Sequence, residues 1–307
     1  MLCGGLGGAR VALALLGEGV DDVACFITNV GDDLEADGRL VCPDTDAIHY
    51  ALAGRFDEER GWGVRDDVFD AQGSGELPWF SVGAEDRSHA DARGALLGEG
   101  VLLGEATRRL AASAGIRAKV VPVTDASLRT RILTRDGTVA WQEWLVRDRG
   151  EPEPLGVEYF GAETAAASAI ALEAIRRAEL VLVAPSSPVG SIGPILAVPG
   201  VADALAEVGL VVLSPVTARR APVTHRDVRR HRVRAALLNA VGVNHDPVGV
   251  AGWYLALAPT FVVDPADADD VVAIGSLGLQ ARVAPGRLTD VGGLRVVLAE
   301  LLGSRPA

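Results

Sequence analysis

Glycine dominates the opening of the chain, where residues 4–10 have the sequence Gly-Gly-Leu-Gly-Gly-Ala-Arg directly before a helical pattern. Glycine lets the backbone turn sharply and bring its amide groups close to an anion, and the start of a helix adds a favourable dipole. The segment lacks the Gly-Lys-Ser/Thr of a Walker loop. It predicts a phosphate site, and the alternative is a strand–helix turn that binds nothing. The candidate contacts are Gly5, Gly7, Gly8 and Arg10, the last through its fixed positive charge.

Carboxylates are concentrated in two short segments soon afterwards. Residues 29–33, Asn-Val-Gly-Asp-Asp, follow an apolar strand pattern, and residues 42–46, Cys-Pro-Asp-Thr-Asp, open a helical pattern. The carboxyl ends of parallel strands line the ligand crevice, and neighbouring carboxylates repel each other unless a cation such as Mg²⁺ relieves the repulsion. The candidate metal ligands are Asp32, Asp33, Asp44 and Asp46. Two Asp-rich turns that only cap helices are the alternative.

A third polar segment, residues 184–196, follows another buried strand pattern and holds three prolines, two glycines and three serines. Proline stiffens a loop, while hydroxyl and amide groups donate hydrogen bonds without a net charge. This composition suits a nucleotide or a phosphate, with Ser186, Ser187 and Ser191 as candidate contacts. A rigid turn with capping serines is the alternative.

Aromatic and histidine side chains give weaker signals. Trp141 and Trp144 lie in a predicted strand, where a spacing of three puts them on opposite faces; one could stack on a flat ring while the other packs in the core. Two packed aromatics are the alternative. His49 lies in an apolar helical stretch and is expected in the core. Solvated histidines are expected in the arginine-rich helical region and its loop: His225, His231 and His245.

These segments need a scaffold that brings them together, and the chain alternates apolar strand patterns with helical patterns. Continuous apolar strands need both faces covered, as in a parallel sheet. The fold class is therefore predicted to be α/β, a doubly wound, mostly parallel Rossmann-like sheet. The predicted strands are 23–28, 119–123, 180–184, 210–214 and 260–264, and the predicted helices are 9–18, 95–114, 164–178, 199–208 and 226–241.

Two insertions interrupt this plan. Residues 129–134 and 138–146 flank an Asp-Gly pair and predict an antiparallel hairpin. Residues 61–94 are rich in Gly, Asp and Trp and are expected to form an ordered lid. The main domain is taken as residues 1–265, and residues 266–307 are expected to form a strand–helix extension packed on it.

Bulk composition excludes several classes of protein. The 307 residues carry a formal net charge of −12, so the surface lacks the basic balance of a nucleic-acid-binding protein. No apolar run approaches the roughly 18 residues of a membrane span, and the first residues do not form a signal peptide, so we expect a cytoplasmic protein without a membrane partner. The three cysteines match no zinc or Cys-x-x-Cys spacing.

In their order along the chain, these segments resemble the 2-phospho-L-lactate transferase family of coenzyme F-420 biosynthesis, called CofD in archaea and FbiA in actinobacteria. The resemblance covers roughly residues 1–265. The matching stretches are 4–10, 29–33, 42–46, 61–63, 141–144 and 185–196, with Asp264 near the end of the shared region.

The resemblance implies an enzyme that moves a 2-phospholactyl or enolpyruvyl-phosphate group from a GDP-linked donor to the ribityl hydroxyl of the deazaflavin Fo, releasing GMP. It implies Mg²⁺ as the cofactor, a homodimer, and small-molecule partners only. Asp33 and Asp46 would be the main catalytic and metal-binding residues, and Asn29 would join the nucleotide contacts. The residues that would bind Fo are Trp62, Asp86 and His89.

Several positions depart from the family pattern. Only three residues precede the glycines, Ala84 replaces an expected Asp, Ser187 replaces an expected Asn, and Arg219 and Arg220 stand where a small, glycine-rich loop is usual. Three alternatives therefore stay open. They are a nucleotide-binding regulator of the gluconeogenesis-factor type, an inactive relative that binds Fo, and an NAD-dependent oxidoreductase, the last disfavoured because no ribose-binding acid follows the glycines.

Overall fold

A computed structural model describes residues 1–16, 24–69, 77–218 and 225–303, with the backbone alone for residues 225 and 226. The strands are β1 Leu2–Cys3, β2 Cys25–Thr28, β3 Leu34–Ala36, β4 Arg39–Val41, β5 Lys119–Pro122, β6 Arg129–Thr134, β7 Gly137–Ala140, β8 Gly156–Phe160, β9 Val181–Val183, β10 Leu210–Leu213, β11 Thr260–Val263 and β12 Gln280–Val283. The helices are α1 Gly5–Leu15, α2 Pro43–Leu52, α3 Ala84–Gly98, α4 Leu103–Ser113, α5 Ala169–Arg176, α6 Gly193–Ala197, α7 Val201–Ala206, α8 His225–Ala240, α9 Pro247–Trp253, α10 Asp270–Ser276 and α11 Val291–Gly303.

The main sheet has seven parallel strands in the order β12-β11-β10-β9-β1-β2-β5. The prediction of a doubly wound parallel α/β sheet is confirmed. Strand β1 is central although it has two residues, because Leu2 pairs with Ile27 of β2 on one side and with Val183 of β9 on the other. The strand order therefore reverses between β1 and β9.

Side chains that alternate along these strands build two cores, one on each face of the sheet. Phe26 and Leu182 point to the face covered by α1, α2 and α11, which contribute Val11, Ile48 and Leu294. The neighbouring Ile27 and Val183 point to the opposite face, in the core that also contains residues of α5, α7 and α10. Because the strands are buried on both faces, their sequences are continuously apolar.

The inserted antiparallel hairpin is confirmed, but its second arm is shorter than predicted. Strand β7 ends at Ala140, a helical turn covers residues 141–147, and β8 adds a third strand beside β6. The strand prediction for residues 141–146 is therefore wrong. A helical turn puts residues three apart on the same side, which lets Trp141 and Trp144 both be buried, with ring centroids 5.9 Å apart.

The single helix predicted at residues 95–114 is two helices, α3 and α4. Gly100 lies between them with φ +81°, a left-handed conformation that ends a helix. The first helix begins at Gly5 rather than residue 9, so the glycines lie inside its first turns. Residues 17–23, where two predicted elements ended or began, lie outside the described part of the chain, as do Arg219 and Arg220.

The segment expected to form a lid and the C-terminal region lie partly within the described residues. A bridge between Phe56 and Val64 closes the first turn of that segment, and residues 77–83 lead into α3. Residues 266–303 form α10, β12 and α11, and β12 pairs with β11 at one edge of the main sheet. Within the described ranges, no helix has the length and apolar character needed to cross a bilayer.

Candidate active site

Loops that follow β1, β2, β9 and β10 meet at the carboxyl edge of the main sheet. Together with residues of α2, α3 and α8 they line a cavity of about 920 Å³. The cavity opens where the strand order reverses between β1 and β9, the position at which a doubly wound sheet leaves a crevice for a ligand. The predicted site residues that line it are Gly5, Gly7, Arg10, Asp32, Asp44, Asp46, Trp62, Asp86, Ser186, Ser187 and Ser191.

The glycine-rich loop is tied to the loop after β9. The Gly4 amide donates to Ser186 Oγ at 3.2 Å, and that hydroxyl donates to the Gly4 carbonyl at 2.7 Å. A methyl group on Gly4 would collide with the Asp44 carboxylate, and one on Gly7 would collide with the Pro185 carbonyl. Glycine is therefore required for the close approach of these loops. Gly8 instead lies inside α1, where it faces Cys3 and Ile48, and is absent from the cavity wall.

The strands β3 and β4 bring the two acidic segments together. They pair antiparallel around a turn in which Asp37 and Gly38 have φ of +53° and +72°. Positive φ at both central residues is the conformation of a tight hairpin turn. Because the hairpin returns the chain to its starting point, Asp32 before β3 lies beside Asp44 at the start of α2.

Asp32 and Asp44 form a buried acidic pair on the cavity wall. The Asn29 Nδ2 lies 3.0 Å from Asp32 Oδ1 and 3.0 Å from Asp44 Oδ2, so one amide bridges both carboxyl groups. Burial raises the pKa of Asp32 well above its usual value, and the charge of Asp44 raises it further. Burial also raises the pKa of Asp44, although hydrogen bonds from Asn29, Ser191 and the Gly5 amide oppose the rise.

This pair fits a divalent cation. Mg²⁺ prefers oxygen ligands, and two buried like charges side by side are stabilised by a cation between them. Both carboxyl groups line the cavity, and Asp44 also lies next to Gly4 and Gly5 of the glycine-rich loop. Asp32 and Asp44 are therefore the residues that would hold Mg²⁺.

Asp33 lies apart from this pair. It lines a second, smaller cavity of about 280 Å³ with Arg129 and does not appear on the wall of the large cavity. Burial raises the pKa of Asp33 to about 8, against the opposing charge of Arg129 and a hydrogen bond from Cys42. Its Oδ1 is buried and has no hydrogen-bond partner among the described residues.

Asp46 is already neutralised by a cation that the sequence analysis overlooked. Arg93, which is fully buried on α3, pairs with Asp46 and also donates to the Leu40 carbonyl at 2.9 Å. Burial alone would raise the pKa of Asp46, but Arg93 and then His89 hold it well below its usual range. The helical spacing of Asp86, His89 and Arg93 places all three on one side of α3 and was the available signal.

Of the three residues assigned to Fo, Trp62 and Asp86 line the cavity, whereas His89 is absent from its wall. Burial raises the pKa of Asp86, a cavity residue, to about 6. His89 Nε2 lies 3.3 Å from Asp46 Oδ1 and 3.2 Å from Nδ1 of His49, whose own pKa burial lowers to about 3. Trp62 is 42% exposed and lies under the Arg60 guanidinium at 4.8 Å, so its ring remains accessible at the cavity mouth.

The side chains of the remaining predicted contacts already form ion pairs or hydrogen bonds within the protein. Arg10 pairs with Glu58 at 3.3 Å. Ser187 Oγ accepts from the Gly190 amide at 3.0 Å, the capping role that was the alternative reading of this loop. Ser191 hydrogen-bonds Asp44 and so belongs to the acidic pair.

Sequence reasoning also missed residues of α8 and the loop after it. His225, His231 and His245 were expected to be solvated: His231 is exposed as predicted, His245 is half-buried, and the His225 side chain lies outside the described residues. The rings of His231 and His245 pack edge to face with centroids 4.4 Å apart. Both line the cavity, together with Arg234. Imidazole nitrogens and guanidinium groups in a cavity wall are available to bind a ligand.

Known proteins resemble this chain over most of its length. The family model for 2-phospho-L-lactate transferase CofD matches residues 1–272. A phosphoenolpyruvate transferase from Streptomyces griseus is 36% identical over 304 residues, covering 95% of this chain and 93% of the relative. A 2-phospho-L-lactate transferase from Methanosarcina barkeri is 33% identical over 268 residues, covering 86% of this chain and 84% of the relative.

Solved structures show a similar fold. A crystal structure of protein BH3568 from Bacillus halodurans has a TM-score of 0.56 at 14% identity, covering 92% of this chain and 90% of that one. A second structure of BH3568, which names it as a member of the UPF0052 family, has a TM-score of 0.55 at 17% identity with the same coverage. These similarities establish the architecture of the sheet and its helices.

Proposed function

The chain belongs to the 2-phospho-L-lactate transferase (CofD) family, and on that premise we propose that it transfers a phosphorylated three-carbon acid to the deazaflavin Fo. The group transferred is 2-phospholactyl or enolpyruvyl phosphate, the donor is its GDP-linked form, and Mg²⁺ is the cofactor. The terminal ribityl hydroxyl of Fo attacks the phosphorus bonded to the acid. The bond from that phosphorus to the bridging oxygen breaks, and GMP leaves.

One observation carries the proposal. Asp44 accepts a hydrogen bond from the Gly5 amide and shares the Asn29 amide with Asp32, so the glycine-rich loop and both acidic segments meet at one point of one cavity. Phosphoryl transfer needs positioning and charge neutralisation more than covalent help from the protein. Backbone amides and carboxylates able to hold Mg²⁺ provide both kinds of group.

We assign roles by position in the cavity. The Gly7 amide binds a phosphate oxygen, the Gly5 amide holds Asp44 beside it, and Ser186 fixes the loop that carries both. Asp32 and Asp44 hold Mg²⁺, which neutralises charge on the transferred phosphate when bound. Fo lies toward Trp62 and Asp86, on the side of the cavity formed by α2 and α3.

The hydroxyl proton of Fo needs an acceptor, and Asp86 is the carboxylate we favour. A pKa of about 6 leaves it mostly ionised at neutral pH, close to the value at which a general base works best. Asp46 is a poorer base because Arg93 and His89 already neutralise it. We therefore assign Asp46 a positioning role for the α2–α3 side of the cavity.

The decisive experiment incubates the purified protein with Fo, Mg²⁺ and each of the two GDP-linked donors in turn. Mass spectrometry of the deazaflavin product identifies the acid transferred, and chromatography measures GMP. Stoichiometric GMP and product with one donor are expected. Unchanged Fo with both donors, from protein that binds them, would refute the proposal. Asp44→Asn serves as the inactive control and Asp203→Asn, at an exposed position of α7, as the active one.

A further inference from the structure

The side of α8 that faces the cavity carries several basic side chains. Arg230, His231 and Arg234 lie within one helical turn of each other, so they share one side of the helix, and they line the cavity beside a single acidic residue of α8, Asp227. The whole chain has a formal net charge of −12. The excess of cations on this wall is therefore a local feature and does not reflect the bulk composition.

The Arg234 side chain is partly buried in the cavity wall, and no carboxylate among the described residues neutralises its charge. Its Nη1 donates to the Pro215 carbonyl at 2.5 Å, and it forms no ion pair within the described part of the chain. Burial lowers the pKa of Arg234 to about 10. Arg93 is also buried, but Asp46 neutralises it. A guanidinium has five N–H donors, so most of those on Arg234 remain available to a ligand in the cavity.

Two histidines adjoin this guanidinium. His245 packs edge to face against His231 with an interplanar angle of 85°. Burial, His231 and Arg234 together lower the pKa of His245 to about 4, so its imidazole is neutral at pH 7. Its Nε2 is buried and has no hydrogen-bond partner among the residues described. Arg234, His231 and His245 thus offer a positive charge and an unused imidazole nitrogen on the same wall.

We infer that Arg234, His231 and His245 form an oxyanion subsite that binds a phosphate or carboxylate group of the GDP-linked donor. The inference rests on the proposed function. Pro215 follows β10, and β9 separates β10 from β1. At about 4.8 Å between neighbouring strands, the ends of β1 and β10 are roughly 10 Å apart. The subsite and the glycine-rich loop therefore hold different groups of one extended ligand.

Direct binding tests this inference without turnover. The affinities of GDP, GMP, phosphoenolpyruvate and pyrophosphate are measured calorimetrically with Mg²⁺ and without Fo. Arg234→Gln is expected to weaken at least one of them about tenfold or more, the scale of a lost charge-assisted hydrogen bond. Arg232→Gln is the matched control, because Arg232 lies on the same helix but pairs with Glu151 at 3.1 Å and is absent from the cavity wall. It should stay within about twofold of the wild type.

The pattern across ligands identifies the group that is bound. If the variant binds GDP and GMP more weakly but phosphoenolpyruvate as before, the subsite binds a nucleotide phosphate. If only phosphoenolpyruvate binding weakens, the subsite binds the acid. His231→Gln provides a second variant if Arg234→Gln does not fold. Because His231 is exposed, its replacement leaves the core intact. This variant is expected to bind the same ligands about threefold more weakly.

Equal affinities for wild type, Arg234→Gln and His231→Gln would overturn the subsite, as would an equal loss in Arg232→Gln. A wild-type protein that binds neither nucleotide contradicts the GDP-linked donor and hence the proposed function. Pyrophosphate, which carries no base, still decides the subsite in that case.

Discussion

The Asp44 carboxylate lies so close to the Gly4 backbone that a methyl group on Gly4 would occupy the position of Oδ2. An acidic group from the start of α2 therefore completes the glycine-rich loop between β1 and α1. The contact requires glycine on one side and a short acidic side chain on the other. It also means that the amides proposed to bind phosphate and the carboxylates proposed to hold Mg²⁺ cannot move independently.

Gly4→Ala is expected to reduce turnover at least a hundredfold, because the new methyl group displaces Asp44 from the loop. Steady-state GMP release measures the effect. Gly94→Ala is the matched control, since Gly94 lies inside α3 at an exposed position with open space around it. That change should keep activity and stabilise the fold by about 0.5–1 kcal/mol, the helix preference of alanine over glycine. Full activity in Gly4→Ala would contradict the required contact.

Asp32→Asn and Asp44→Asn should each reduce turnover at least a hundredfold without lowering thermal stability. Burial raises the pKa of both carboxyl groups, and the charge of Asp44 raises that of Asp32 further, so the folded protein stabilises their neutral forms. An amide removes a charge that costs stability at pH 7. Activity assays and thermal denaturation in metal-free buffer check the two effects. A melting temperature far below that of the wild type would show that the pair is structural.

Mg²⁺ is expected to raise the melting temperature of the wild type but not that of the Asp32→Asn, Asp44→Asn double variant. A ligand that binds only the folded state at 100 times its Kd stabilises by about 2.7 kcal/mol. Differential scanning calorimetry with increasing Mg²⁺ measures the shift, and EDTA should reverse it and stop turnover. Undiminished activity in excess EDTA would refute the metal assignment.

Arg93→Met should destabilise the protein by about 3–5 kcal/mol, because it leaves Asp46 buried without its cation. Adding Asp46→Leu should recover part of that loss, and denaturant unfolding of both single variants and the double variant gives the coupling energy. The exposed pair of Arg39 and Asp91 at 2.6 Å is the control. Arg39→Met should cost about 1 kcal/mol or less. Additive losses at the buried pair would refute the coupling.

The fold is expected to lose stability in acid because of His49. Its pKa falls from 6.5 in the unfolded chain to about 3 in the folded protein, so between these values the unfolded state binds more protons. Stability therefore decreases as the pH falls through this window, by about 2 kcal/mol at pH 5. His49→Gln should show a shallower slope between pH 6.5 and 4 in urea unfolding. A slope identical to the wild type would remove His49 as the cause.

Strand positions could be predicted because burial on both faces leaves a clear pattern in the sequence. The five predicted strands coincide with β2, β5, β9, β10 and β11. The helical turn after β7 could not be predicted from alternation, since aromatic residues three apart suit either a strand or a turn until their packing partners are known. Gly100 was a visible signal for the break between α3 and α4, but a single glycine in a helical pattern is not enough to predict a break.

The candidate site was only partly accessible from the sequence. Because the carboxyl ends of parallel strands lie at one edge of a sheet, the sequence predicted that residues 29–33 and 42–46 lie near the glycines. It could not show that Asp32 lines both cavities while Asp33 lines only the small one, since one residue of register decides this. The pairing of Asp46 with Arg93 spans 47 residues and depends on how α3 packs. The Asp37-Gly38 turn was a usable signal for the hairpin that joins the acidic segments.

The position of β1 has a consequence for how the protein assembles on the ribosome. Strand β1 precedes the other described strands along the chain yet lies in the middle of the sheet, and one of its neighbours, β9, begins at Val181. The partner of Leu2 in β9 is therefore synthesised about 180 residues later. Until then, the backbone groups on one side of β1 are unpaired. Such long-range pairing makes folding slow and gives chaperones a substrate in the half-made chain.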